Sequence, residues 1–423
     1  MGAQLSLRSI MKGNVLVLTV SRVLWSMSDS LAWPYLSLYI LSLGGTATTV
    51  GFVNAVGTMA ACVFYPIGGY IADKAGRARL VSMATLLYVT SFVVFALANS
   101  WEWLAFAYAY QQVVLFYMPA LNAIMADSIP VGARGRIYAV TVSIPNAVRI
   151  ITPYLGGYLI AVYTLQPAMR LSYTLSFCIG AVVAFIRLRY LRETITNGEK
   201  IGKNVPKILF EGYKNVFTSL RWVISNMPGY AGMAILLSCI GSLVMPFWII
   251  YAQNIIGISA YSWGVILLIG GLINTLSSLV VGSLVDRIGV RKCMITAFVL
   301  SIPPMFLFTL AQDFYQVVAI WVILMVASSF LWISSSVFLA DAIPRSMRGR
   351  VMSGVGQGVS FGITGVGYAS GFLLFIPMTI GSVISGYIYN FNPVYPWYIQ
   401  SVLLTVGLII CILFIKNPER PEA

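Results

Sequence analysis

Gly69-Tyr70-Ile71-Ala72-Asp73-Lys74-Ala75-Gly76-Arg77-Ala78-Arg79 returns 213 positions later as Gly282-Ser283-Leu284-Val285-Asp286-Arg287-Ile288-Gly289-Val290-Arg291-Lys292. The two glycines, the aspartate and two basic positions (Lys74/Arg287 and Arg79/Lys292) keep their spacing. A second pair follows at an offset of 214. Ala126-Asp127-Ser128-Ile129-Pro130, with Arg134-Gly135-Arg136 behind it, returns as Ala340-Asp341-Ala342-Ile343-Pro344 with Arg348-Gly349-Arg350. Each half of the chain therefore carries the same two loops, and long apolar runs flank each loop.

Those runs set the class. The chain has 423 residues, of which 59% are hydrophobic and 9% charged, where a soluble protein carries about a quarter charged. About 20 apolar residues cross a bilayer as a helix. Turn and charge punctuation divides the chain into twelve spans: 13–42, 47–72, 80–98, 102–127, 137–164, 168–188, 223–252, 258–285, 293–311, 314–341, 351–389 and 395–415. The first span is too long for a signal-peptide core and no small-residue cleavage site follows it, so it is expected to be retained.

Net charge is +14. Of the 26 Lys and Arg, all but Arg22, Arg149 and Arg170 fall at the chain ends or in loops on one side of the twelve-span layout. The positive-inside rule then makes both termini and the middle loop cytoplasmic, in a multi-pass protein of the plasma membrane. Topology accounts for the basic excess, and no nucleic-acid partner is expected. The chain has no histidine, which removes Ser-His-Asp and Cys-His catalysis and HExxH metal sites. Cys62, Cys178, Cys239, Cys293 and Cys411 have no CxxC spacing. Gly198 to Asn204 falls one residue short of a phosphate loop and ends in Asn rather than Ser or Thr. No metal, cofactor or nucleotide is expected, and the chain is not expected to be an enzyme.

Two six-span halves with matching loops imply parallel repeats about an axis along the membrane normal. The repeated G-x-x-x-D-[RK]-x-G-x-x-[RK] stretch after spans 2 and 8 resembles the loop signature of the major facilitator superfamily, over the whole chain. The resemblance implies an all-α membrane protein: twelve transmembrane helices in two pseudo-symmetric six-helix bundles, at 1–190 and 223–423. A cytoplasmic linker with a surface amphipathic helix joins them at 191–222. It also implies that Asp73 and Asp286, near Arg77, Arg79, Arg287 and Arg291, latch the halves together when the cytoplasmic side is closed. Asp127 with Arg134 and Asp341 with Arg348 resemble the matching parts; as plain loop charges they would only set topology. Thr152-Pro153-Tyr154-Leu155-Gly156-Gly157 is similar to the Gly-Pro-x-x-Gly-Gly signature of the family's proton-coupled exporters, with Thr152 in place of the first glycine. The family's span-4 Arg before Gln-Gly has no counterpart in Ala107-Tyr108-Ala109-Tyr110-Gln111-Gln112.

Charges inside a span are costly and mark function by default. Three stand out: Arg22, Asp29 and Arg149. Arg22 and Asp29 are seven residues apart, on one helix face. At 1.5 Å per residue, Arg22 lies about 15 Å deep, Arg149 about 20 Å and Asp29 about 25 Å, so the three are expected to cluster at the central cavity. Hydrocarbon favours the neutral form of Asp29 and a neighbouring guanidinium its ionised form. A group held between those pulls can carry a proton; a static salt bridge that fixes packing is the alternative. Trp25, Gln111, Trp332 and Gln357 are further candidates for solute contact, or for helix packing. Pro34 and Pro246 should kink spans 1 and 7 equivalently, and Pro153 frees the carbonyl of Arg149. Span 11 is glycine-rich, with a break expected near Pro377, and should move against span 2.

The expected function is alternating-access secondary transport by a monomer: proton-coupled export of amphipathic, drug-like compounds, with Asp29 as coupling group. The rival is a carrier of organic anions or sugars with Arg149 and Arg22 as ligands. The partners are a small solute, protons and the lipid bilayer.

Overall fold

Proline and glycine decide where the long apolar runs bend. The computed structural model describes residues 11–74, 76–129, 134–194, 205–344, 347–361 and 371–417. The first rod is α1 (Gly13–Ala32), continued through a 3-10 turn at Trp33–Tyr35 into α2 (Leu36–Ser42). Its counterpart is α10 (Pro228–Val244), a 3-10 turn at Met245–Phe247 and α11 (Trp248–Asn254). Pro34 and Pro246 sit at the centres of those turns. Each removes one N–H from its ladder, and the local tightening to 3-10 absorbs the loss.

The rest of the first half is α3 (Ala47–Lys74), α4 (Arg77–Leu97), α5 (Trp101–Val114) running into α6 (Met118–Ser128), α7 (Arg134–Tyr163) and α8 (Leu165–Tyr190). After the linker helix α9 (Val205–Asn226) and the α10–α11 rod, the second half continues with α12 (Ala260–Ile288), α13 (Val290–Phe308), α14 (Phe314–Ala342), α15 (Arg348–Val355), α16 (Phe372–Phe391) and α17 (Tyr395–Phe414). No strand occurs among the described residues. Large apolar side chains such as Phe106, Phe185, Leu279 and Phe414 are more than half exposed, as a surface solvated by lipid tails requires.

Among the described residues, eleven rods are long and apolar enough to cross a membrane. The twelfth expected span, α7, does not reach that apolarity because Pro145, Asn146, Arg149, Thr152 and Pro153 interrupt it. It is still one helix, with Ile151, Leu155, Tyr158 and Val162 exposed on its outer side and its polar side on the seam between the halves.

Span 11 departs from expectation. Its break is not at Pro377, which lies inside α16. The helix stops at Val355, Gly356 has φ +82°, residues 357–361 are not helical, and the next described helix begins at Phe372. Each interior glycine costs a helix about 1 kcal/mol relative to alanine, so the run of glycines breaks it before the proline is reached.

Two helix pairs form the main seams between the halves: α3 with α16 and α7 with α12. Glycine makes both possible. A methyl at Gly51 would stand 2.5 Å from the carbonyl oxygen of Ser382, and one at Gly157 would stand 2.7 Å from that of Ala260. Thr58 and Thr379 add a buried hydroxyl–hydroxyl bond of 2.8 Å across the first seam. The linker helix lies over that same seam. Val216 and Leu220 pack on Ala61, Cys62, Phe372 and Phe375, and the Tyr213 hydroxyl donates to the carbonyl of Val63 at 2.7 Å.

Candidate functional site

A cavity of about 430 Å³ lies between the halves. The α1–α2 rod, α3 and α7 supply one wall, with Asp29, Trp33, Asn54, Asn146 and Arg149. The α10–α11 rod, α12 and α14 supply the other, with Trp248, Trp263, Asn274, Trp321, Ser329 and Trp332.

The end of the cavity away from the basic loops is closed. There Leu36–Ser42 packs on Trp248–Asn254, and the Tyr154 and Tyr261 hydroxyls meet at 3.2 Å. The buried Tyr35 hydroxyl donates to the carbonyl of Pro153 at 2.7 Å, which ties the kink of the first rod to the proline of α7. Close contact of α7 and α12 runs from Gly157 against Ala260 to Ile150 against Gly271. Nearer the basic loops, Val142 and Ser278 line the cavity instead.

Of the three expected intramembrane charges, two meet. Arg149 Nη2 stands 3.5 Å from Asp29 Oδ2, and both side chains are partly open, 31% and 28% exposed. Arg22 is not in this cluster. Its guanidinium donates to Asn122 Oδ1 at 3.3 Å, on α6. Arg22 and Asp29 share a face, but seven residues separate them by about 10 Å along the helix, and each meets a different neighbour.

Trp25 and Gln111 also stand outside the cavity lining. Trp25 packs on Tyr88 and Phe92 inside the first bundle, and Gln111 is buried and donates to Ser91 at 3.3 Å. Gln357 is exposed in the non-helical stretch after α15. Trp332 does line the cavity.

Arg187, read from sequence as one of the basic loop residues, is buried at 2% exposure in the last turn of α8. It donates to Thr85 Oγ1 at 2.7 Å and lies 5.7 Å from the centre of the Trp25 ring. No carboxylate pairs with it in the described structure. The signal was its place inside the apolar run that continues to Tyr190. The tryptophan wall was also missed: Trp248 and Trp263 each pack edge-on to Trp321 at 5.1 Å. Its one sequence signal was Trp248, two residues past the Pro246 kink.

At the basic end, the side chains of Asp73, Arg134 and Arg348 lie outside the described residues. Arg77 pairs with Asp127, so this bridge joins α4 to α6 within the first half. Arg79, Asp286 and Arg287 are exposed, and Asp341 is half-buried. Arg291 donates to the carbonyl of Ile412 at 2.6 Å. Among the described residues, no ion pair at this end bridges the halves, and no group of three or more metal-binding side chains forms.

Two helical bundles that meet at a charged cavity closed at one end define a membrane carrier. The Major Facilitator Superfamily profile matches residues 18–274 and again 230–423. The chain belongs to that superfamily, and it is a transporter rather than an enzyme. It is 21% identical over 386 residues to Multidrug resistance protein 1 of Bacillus subtilis (strain 168), covering 90% of each chain. It is 24% identical over 352 residues to Multidrug resistance protein MdtG of Enterobacter lignolyticus (strain SCF1), covering 81% of each. Its fold matches the crystal structure of a mutant of the nucleoside transporter NupG with a TM-score of 0.68, at 15% identity, covering 95% of this chain and 100% of that one.

Proposed function

We propose that this transporter is a proton-coupled exporter of amphipathic compounds that works by alternating access. The observation that carries the reading is the placement of Asp29. It is the one carboxylate among the described residues that line the cavity, and it faces a guanidinium loosely enough for a proton or a solute to compete for it. An ionisable group at this depth is expensive unless it is used. The names of the relatives in Bacillus subtilis and Enterobacter lignolyticus support a drug-like solute.

Placing both termini and the basic loops in the cytoplasm, with the chain in the plasma membrane, makes this conformation closed toward the outside. The division at 1–190, 191–222 and 223–423 then separates two moving bodies from their tether. In this reading the latch set around Asp73 and Asp286 engages only in the opposite, outward-open state.

A second reading, a carrier of organic anions, is favoured by one observation. The Arg149 guanidinium is partly open and has no hydrogen bond among the described residues. Proteoliposomes decide between the two. The exporter requires a pH gradient to drive movement of a lipophilic cation, with Asp29→Asn abolishing the drive while the protein still folds. Gradient-driven transport that survives Asp29→Asn removes Asp29 from the mechanism. Stabilisation by anions alone, lost in Arg149→Gln, selects the second reading.

A further inference from the structure

We propose that the cavity takes zwitterionic amphipaths, with an anionic group on Arg149, a cationic group on Asp29 and an apolar body on the tryptophan wall. The inference rests on reading this cavity as the solute site, and it names the class of solute.

The ion pair is unfinished. Its closest approach is 3.5 Å, whereas a charge-assisted N–H···O bond is about 2.7–2.9 Å. Neither side chain makes a hydrogen bond among the described residues. Arg149 therefore turns a planar fork of donors toward the cavity, the geometry that suits a carboxylate or phosphonate. Asp29 turns its acceptors toward the same space. Buried polar groups are otherwise satisfied, and a pair left open at this depth is available to a ligand.

The charge requirement follows. An anion alone would complete Arg149 and separate it from its counter-ion, leaving Asp29 exposed to the desolvation cost of an unpaired charge. A cation alone would do the same to Arg149. A solute with both charges lies antiparallel to the pair and completes both. Among the described residues the facing wall carries no charge. Trp248, Trp321 and Trp332 supply aromatic surface, and Asn274 and Ser329 are already bonded to each other at 3.0 Å. A volume of about 430 Å³ fits a single ring system and its head group, within the usual range of small-molecule sites.

The test uses the full-length purified protein and three fluorescent probes that share one body. Nε-dansyl-lysine carries both charges, dansylcadaverine only the cation, and Nα-acetyl-Nε-dansyl-lysine only the anion. The zwitterion is expected to bind at least tenfold tighter than either analogue. Arg149→Gln should weaken it to the level of dansylcadaverine, and Asp29→Asn to that of the acetylated probe. Equal or tighter binding of a singly charged probe by the unaltered protein overturns the proposal, and this comparison needs no variant to fold. If no dansyl probe binds while tetraphenylphosphonium raises the melting temperature, the zwitterion is refuted and the exporter stands. If no probe binds and no solute stabilises, both fall.

Discussion

Gly157→Ala should open the closed end of the cavity. The added methyl would stand 2.7 Å from the Ala260 carbonyl oxygen, 2.7 Å from the Tyr35 hydroxyl and 3.2 Å from the Tyr261 Cα. Two of these three atoms are backbone of the partner helix and cannot rotate away, so α7 and α12 must part by several tenths of an ångström. Overpacking of this kind costs roughly 1–3 kcal/mol. The cost falls only on the conformation in which the two helices touch, so the balance moves toward the opposite state by about 5- to 150-fold. The readout is a cysteine at Ser37, which lines the cavity, placed in a background from which the five native cysteines have been removed. It is labelled with a membrane-impermeant maleimide from the closed side. Gly282→Ala is the control, because it makes the same helix substitution with nothing within 4 Å. Labelling should accelerate in Gly157→Ala and not in Gly282→Ala. Equal rates in the two, or no change in either, would refute the argument that glycine contact holds this end shut.

Four further outcomes follow from the charged groups and their partners. Asp29→Asn should remove pH-driven transport with less than a few degrees of change in melting temperature, because the loose 3.5 Å pair does little to hold the fold; transport is followed in proteoliposomes. Arg187→Met should leave thermal stability unchanged or raise it, because this buried cation has no carboxylate to lose. Thr85→Ala, which strands the same guanidinium, should lower stability by about 1–3 kcal/mol in a denaturation series. Asp127→Asn should cost under about 1 kcal/mol, since Asp127 is 48% exposed in its pair with Arg77; a larger loss in a melting curve would show that the bridge holds α4 to α6.

Much of the fold is legible in the sequence because it is written along the helix axis. The repeated loops, and the meeting of Arg149 with Asp29 at matched expected depth, follow from counting residues at a fixed rise. The equivalent kinks at Pro34 and Pro246 follow in the same way. What counting does not give is rotation about each axis, which packing decides. Arg149 meets Asp29, as depth alone suggested, but Arg22 turns to Asn122 and Trp25 to the interior of its own bundle. Arg187 is the plainest case. A loop-by-loop count puts it in water, yet its side chain runs back into the bundle to Thr85. Span 11 breaks at Gly356 rather than at Pro377, because glycines each favour non-helical backbone and their costs sum.

The placement of Asp29 and Arg149 on the same half has an electrical consequence. Moving one elementary charge through 100 mV is worth about 2.3 kcal/mol. In the proton-coupled reading, the ionised pair would ride with one bundle and contribute no net charge movement. With a proton on Asp29 the pair would contribute the positive charge of the guanidinium, and the same motion would become more sensitive to membrane voltage. The reorientation made with Asp29 protonated would then respond to voltage in both directions, and the reorientation made with the pair ionised would respond less.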